Sequence, residues 1–380
     1  MRVTVFFWQS GASMSKPSFL SVLLTAPVLL GLLTFVPARA VPAPAGYART
    51  CGEVPSAQEV TTPLPRGVTG RVDFFAARYD PATGAVTRAV RYGRPDALHP
   101  MASSFKPLLV HAVWADIDAG RFTPGTLVTS TPGTRSLGAF PAGRNTLAHL
   151  TDIAINGSNN TAADLLLLTY GPERLAREVH AVSPCTSVLV TTKGWWAAQA
   201  GLAPDVLGPD AVRGAARYGA MPFEARVGVA GALIRAGQRS SAQAVEAGID
   251  RVFRSRTYSP AMELDLQNTT TPAAYTALVR DTLSGAGLSA ASASAVRKIF
   301  GTGCCRPEHP RLRATYWGAK GGITWRVLNL TGYVELPDGT QLAYVFMNDL
   351  SDTADAGALR ASVPGVLPWI ETQLLRLSAP

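Results

Sequence analysis

Three short patterns in this chain place side chains that could do chemistry together. The first is Ser103-Ser104-Phe105-Lys106, an S-x-x-K at the start of a helical stretch. Residues i and i+3 of a helix share a face, so the lysine can reach the serine hydroxyl. It can take that proton if burial or nearby positive charge lowers its pKa. The start of a helix also offers unpaired N–H groups to a developing oxyanion. The second is Ser158-Asn159-Asn160. Its hydroxyl can relay a proton to a leaving nitrogen, and the Asn160 amide can hold a substrate amide. Taken alone, it reads equally as a helix cap, because Ser and Asn are favoured there. The third is Lys320-Gly321-Gly322. Its ammonium can bind a carboxylate or polarise a neighbouring serine, and the two glycines let a substrate backbone lie against a strand edge. Taken alone, it reads as a strand-ending turn.

The elements that must position these groups follow from apolar periodicity. Residues 71–79 and 85–92 read as strands joined by the turn Asp80-Pro81-Ala82-Thr83-Gly84, a hairpin signal. His99 and Pro100 break the chain. A helix is predicted over 103–119, with Phe105, Leu108, Leu109, Ala112 and Val113 at helical spacing. Further helices are predicted over 147–155, 160–168, 272–283 and 290–299, with an Ala-rich helical stretch over 211–254. Strands are predicted over 314–319, 325–336 and 340–348, the last two joined by Pro337-Asp338-Gly339, before a closing helix over 354–377. There is no internal repeat. Strands at both ends and helices between them predict an α/β chain of the α+β type. Its antiparallel sheet is built from both ends of the chain, with helices on its faces and a larger helical subdomain inserted at about 190–260.

In order and context the three patterns resemble the class A β-lactamases and the related serine hydrolases of the penicillin-recognising superfamily, whose signatures are S-x-x-K, S-D-N and K-T-G. Met101-Ala102-Ser103-Ser104-Phe105-Lys106 looks like that family's nucleophile segment. Ser158-Asn159-Asn160-Thr161-Ala162-Ala163-Asp164-Leu165-Leu166 looks like its second motif and the helix that follows. Thr269-Thr270-Thr271-Pro272 resembles the segment after its Ω loop. The resemblance runs from about Gly70 to the C-terminus and implies a β-lactamase/transpeptidase-like fold over residues 70–380. It implies that Ser103 is acylated, that Lys106 is its base or proton relay, that Ser158 passes a proton to the leaving nitrogen and that Lys320 supports it electrostatically. The N–H groups of Ser103 and Ile323 would form the oxyanion hole. Asn160 and Thr324 would contact the substrate amide and carboxylate, and Gly322 would let the substrate lie close.

The chain departs from that pattern in three places. Asn159 stands where the family has aspartate, and Gly321 where it has threonine. The E-x-x-L-N segment, whose glutamate holds the deacylating water, does not occur. Glu263, in Glu263-Leu264-Asp265-Leu266-Gln267-Asn268, and Glu224 are the acidic candidates nearest to that role, and each reads more simply as a solvated or capping carboxylate. The groups for acylation are therefore present, and the usual base for release is not evident. Three functions stay open: a β-lactamase, an envelope esterase or peptidase of the same fold, and a penicillin-binding protein or sensor that stays acylated.

The remaining signals concern where the chain works. The apolar stretch 19–36 follows Lys16 and leads to Ala38-Arg39-Ala40, the layout of a secretory signal over residues 1–40. A retained membrane anchor is the alternative. Met14 rather than Met1 begins a signal-like layout. Residues 41–69 read as an extended, Pro- and Ala-rich arm. Cleavage after Ala40 removes Arg2, Lys16 and Arg39 and takes the formal charge from +9 to +6. The basic residues are scattered, without interleaved aromatics, which argues against nucleic acid. The expected partner is a small β-lactam or peptide-like ester or amide. The expected state is an exported monomer in the periplasm, the envelope or the medium, with no stable membrane span after cleavage. No cofactor or metal is implied, because Cys51, Cys185, Cys304 and Cys305 match no zinc spacing. Four cysteines allow three pairings. Adjacent cysteines rarely bond to each other, so two long-range bridges are expected, one from each of Cys304 and Cys305. Trp195 and Trp196 line a substrate cleft or cover a core edge.

Overall fold

The computed structural model describes Tyr47, residues 49–255 and residues 258–379. The predicted signal over residues 1–40 lies outside the described residues.

The alternation in Arg71–Tyr79 shows why this segment is a central strand. Val72, Phe74 and Ala76 enter one apolar cluster, and Phe75, Ala77 and Tyr79 enter another on the opposite face. A strand buried on both faces is apolar along most of its length, and here the buried Asp73 is paired with His99. Six strands form the main sheet: β1 (Gln58–Glu59), β2 (Arg71–Tyr79), β3 (Val86–Tyr92), β4 (Tyr316–Thr324), β5 (Val327–Glu335) and β6 (Gln341–Asp349). Their spatial order is β1-β3-β2-β6-β5-β4. β1 runs parallel to β3, and every other neighbouring pair is antiparallel. The sheet is thus built from both ends of the chain, joined where β2 meets β6 from Arg71↔Asp349 to Tyr79↔Gln341.

One face is covered by the helix Val363–Ser378, whose Trp369 sets its ring edge-on to Phe74 at 5.1 Å and to Phe346 at 6.0 Å. The other carries the helices Lys106–Asp118, Pro272–Ser284 and Ala290–Thr302. The helices Thr192–Gln199, Ala211–Gly219, Phe223–Arg239 and Ala242–Arg254 extend that side away from the sheet. No helix among the described residues is long and apolar enough to cross a membrane.

Several elements differ from expectation for local reasons. The stretch predicted as one helix from 103 opens as a 3-10 turn, Ala102–Phe105, and becomes α-helical at Lys106. Pro107 has no N–H to give and suits the first turn of the α-helix. The closing helix is two, Ala356–Ala361 and Val363–Ser378. Pro364 cannot donate to the carbonyl four residues back, which breaks the ladder there. β4 does not end before Lys320 but continues through it, with Lys320, Gly321 and Gly322 paired to Thr331, Leu330 and Asn329.

The disulfide expectation is corrected. Cys51 bonds Cys185, with Cα atoms 5.5 Å apart, and ties the arm to the helical side. Cys304 bonds its neighbour Cys305 rather than a distant partner. Cys305 takes a left-handed backbone conformation, φ +77°, which a loop outside regular structure can supply and which lets the small ring close.

Candidate active site

The 3-10 turn Ala102–Phe105, the turn before Asn160 and strand β4 converge on one cavity of about 330 Å³. Ser103, Ser158, Asn160, Lys320, Ile323 and Thr324 line its wall. Gly322 is the point of closest approach. A Cβ there would lie 2.7 Å from the carbonyl oxygen of Met101 and 2.8 Å from the nitrogens of Ser103 and Ser104. Only glycine lets the strand pass so near the nucleophile turn. Ala102, just before Ser103, is held at φ +47° and Ser158 at φ +48°. These are costly conformations for residues with a side chain, and such strain persists where surroundings over-determine it.

Those surroundings are visible. Ser104 Oγ donates to Met101 O at 2.6 Å, and Tyr275 OH donates to Ser104 O at 2.5 Å. The Ala102 N–H donates to Gln267 Oε1 at 3.2 Å. Asn329 Nδ2 holds Pro100 O at 2.8 Å. Just upstream, His99 is fully buried between Asp73, 2.7 Å from Nε2, and Asp349, 3.2 Å from Nδ1. The turn that carries Ser103 is therefore held both by the sheet and by the helical side that packs on that face.

Lys106 is buried, and its ammonium nitrogen donates to Ser158 O at 2.5 Å and Asn160 Oδ1 at 2.9 Å, with Ser158 Oγ at 3.4 Å. Burial, and next the charge of Lys320, hold its pKa well below the usual lysine range, against the pull of Asp164. Lys320 donates to Ser158 Oγ at 2.9 Å and to Gly321 O at 2.6 Å. Burial and then the charge of Arg360 lower it to about 7. Ser158 thus sits between two lysines that lose their protons far more easily than lysines in water. Ser103 Oγ makes no hydrogen bond to any described residue and faces the cavity. Nucleophile–base contacts of this kind often close only when substrate is bound.

Asn160 differs from its expected part. Its Oδ1 accepts a hydrogen bond from Lys106 and its Nδ2 reaches Leu137 O at 3.4 Å, so both ends are used inside the protein. Its effect here is to hold Lys106. Asn159 caps the helix Asn160–Tyr170 by accepting from Ala162 N at 2.9 Å, and its Nδ2 donates to Ala139 O at 2.8 Å. An aspartate could make the first bond but not the second, which gives Asn159 a physical reason.

Gln267, Arg360 and the place of the Cys304–Cys305 pair on the cavity wall escaped the sequence reading, and Glu263 is buried where a solvated or capping carboxylate was expected. Gln267 bridges the site to Glu263: its Oε1 accepts from Ala102 N, and its Nε2 donates to Glu263 and, weakly at 3.5 Å, to Thr324 Oγ1. Glu263 is buried, and burial, partly offset by the amides of Gln199 and Gln267, pushes its pKa up to about 8. Its Oε1 makes no well-aligned hydrogen bond among the described residues; the Gln199 amide stands near enough to offset the shift but does not close a bond to it. The signal was present. Glu263-Leu264-Asp265-Leu266-Gln267 differs from E-x-x-L-N only by a longer final amide. Glu224, the other acidic candidate, is exposed and pairs with Arg177. Arg360 and the Cys304–Cys305 pair also line the cavity. Trp195 and Trp196 do both things foreseen for them, standing in the core and lining the cavity.

Comparison with known proteins agrees with this geometry. A sequence model of the β-lactamase enzyme family matches residues 79–183. The β-lactamase of Streptomyces albus G is 32% identical over 183 residues, a stretch that covers 45% of this chain and 56% of that relative. The match therefore spans little more than half of the relative's length. The β-lactamase structure from Xanthomonas campestris pv. campestris superposes with a TM-score of 0.52 at 20% identity, over 81% of this chain and 94% of that one. The β-lactamase structure from Chitinophaga pinensis gives 0.53 at 18%, over 82% and 95%. The chain thus has the β-lactamase/transpeptidase-like fold and resembles the class A β-lactamases and related serine hydrolases of the penicillin-recognising superfamily.

Proposed function

We propose that the chain is an exported serine hydrolase that is acylated at Ser103 and opens the β-lactam amide. The observation that carries this reading is the meeting of Lys106 and Lys320 at Ser158 on the wall shared with Ser103. In this reading neutral Lys106 removes the Ser103 proton as Oγ attacks the carbonyl. The N–H groups of Ser103 and Ile323 receive the developing oxyanion. Ser158 Oγ then gives its proton to the leaving nitrogen and recovers one from a lysine. Lys320, Arg360 and Thr324 hold the carboxylate of the substrate, and Gly322 lets β4 lie close to the turn that carries Ser103. The Cys51–Cys185 bridge supports export, because disulfides persist in oxidising compartments.

Release of the acyl group needs a base for water. Glu263 is the candidate, since an unpaired buried carboxylate oxygen calls for a water partner. Water adds to the acyl carbonyl as its proton passes to the Glu263 carboxylate, and the ester C–O bond breaks as that proton is returned to Ser103 Oγ, which restores the carboxylate. With a pKa of about 8, Glu263 is mostly protonated at neutral pH, and release is then slow. That observation favours, as a second reading, a protein that stays acylated.

The test is to mix purified protein with a chromogenic cephalosporin and follow colour and intact mass together. Sustained colour supports hydrolysis, and one burst with a stable adduct on Ser103 supports the sensor. Hydrolysis that survives Ser103→Ala unchanged would overturn both.

A further inference from the structure

The wall beside Lys320 is made of sulfur. After the helix Ala290–Thr302 the chain turns through Gly303 into Cys304 and Cys305, which are bonded to each other, and both line the cavity that holds Ser103, Ser158 and Lys320. Cys305 lies directly against β4: a Cβ built on Gly321 would stand 2.5 Å from its Sγ. No side chain fits at 321 while Cys305 stays in place. The glycine that replaces threonine in the K-T-G pattern and the adjacent cysteine pair therefore depend on each other. The sulfurs occupy the space that a strand side chain would fill.

The change alters the chemistry of that wall. A threonine would offer a hydroxyl there, on the face of β4 opposite the Lys320 side chain. The disulfide offers a polarisable face with no O–H or N–H to donate, while positive charge remains nearby on Lys320 and Arg360. Resting on the hydrolase reading above, we propose that the Cys304–Cys305 disulfide is a specificity-determining surface of the substrate site, selecting leaving groups that carry an anion toward Lys320 and an apolar or thioether flank against the sulfurs. The disulfide touches the bound substrate; it takes no part in bond making.

The experiment is a double-mutant cycle between Gly321→Thr and the paired change Cys304→Ser with Cys305→Ser. It is read as KM and kcat for an anionic chromogenic cephalosporin and for neutral p-nitrophenyl acetate. Removing the sulfurs raises KM for the cephalosporin by about tenfold, the scale of a lost apolar contact, and raises KM for the neutral ester less. Gly321→Thr alone is disruptive, and it is accommodated once the cysteines are serines, so the effects are strongly non-additive. A second arm reduces the unaltered protein with a phosphine, which supplies two electrons and opens the ring to two thiols; capping those thiols with iodoacetamide shifts the cephalosporin KM in the same direction. Additive effects, or equal KM changes for both substrates, overturn the proposal. A fluorophosphonate keeps the two failures apart: if it does not label Ser103 in the unaltered protein, the hydrolase reading itself falls.

Discussion

Lys106 and Lys320 reach the same residue from two elements: their ammonium nitrogens lie 3.4 and 2.9 Å from Ser158 Oγ. Burial and the charge of Lys320 hold Lys106 low, burial and the charge of Arg360 hold Lys320 low, and the hydroxyl between them becomes a path for a proton.

Ser158→Ala breaks that path without removing the nucleophile. Acylation by a chromogenic cephalosporin should slow by roughly 100- to 10,000-fold, the range for loss of a positioned acid or base. Stopped-flow bursts measure it, with circular dichroism to confirm folding. A rate within threefold of the parent would remove Ser158 from the mechanism.

Lys320 titrates near 7. Below that pH its ammonium is charged and attracts an anionic substrate; above it the amine is neutral. KM for an anionic cephalosporin should therefore rise above pH 7, by about tenfold over the next pH units, while KM for a neutral ester stays flat. Lys320→Arg keeps its charge across this range and should abolish the rise. A rise of equal size in the arginine variant would assign the effect to another group.

Glu263 has a raised pKa, about 8 against an ordinary 4.5. Its protonated form favours the folded state fully below pH 4.5, and that stability is lost as pH climbs through about 8. Glu263→Gln, which never ionises, should melt at a temperature close to the parent's at pH 5 and above it at pH 9. The same titration should speed deacylation of the parent between pH 7 and 9, and the variant should lack that increase. Melting curves and decay of the mass adduct check the two halves. Parent and variant adducts that decay alike at pH 9 would exclude Glu263 as the base.

The Cys51–Cys185 bridge closes a loop of 134 residues and ties the arm to the helical side. Replacing both cysteines by serine should lower unfolding free energy by about 2–5 kcal/mol, read from urea melts. A change below about 1 kcal/mol would mean that the arm is held by its other contacts, such as Arg49 on Asp265 and Tyr47 on Asp349.

What the sequence made legible was local. Ser103 and Lys106 share one turn, Ser158 to Asn160 begin a helix, and Lys320 to Gly322 lie in one strand, so short spacing carried them. The hairpin and the strands beyond Pro310 were legible because each is a short, largely apolar run bounded by turn residues. What was hidden depends on contacts between distant segments. Nothing in Gly321 announces Cys305, since their relation exists only after the loop folds onto β4. The amide of Asn160 was open to substrate on paper and is engaged by Lys106 in the fold. Gln267 was passed over because the pattern sought ended in asparagine, though one more methylene still reaches Ala102.

The join between β2 and β6 bears on the order in which the molecule comes into being. Arg71 pairs with Asp349 and Tyr79 with Gln341, so the middle of the sheet cannot close until nearly the whole chain has been made. Ser103 is synthesised early, but β4, which contributes Lys320 and Gly322, reaches it only through the late strands. Pairings this remote in sequence fold slowly. A nascent chain ending before residue 316 holds Ser103 without Lys320 or Gly322, and the cavity they share is among the last features to form.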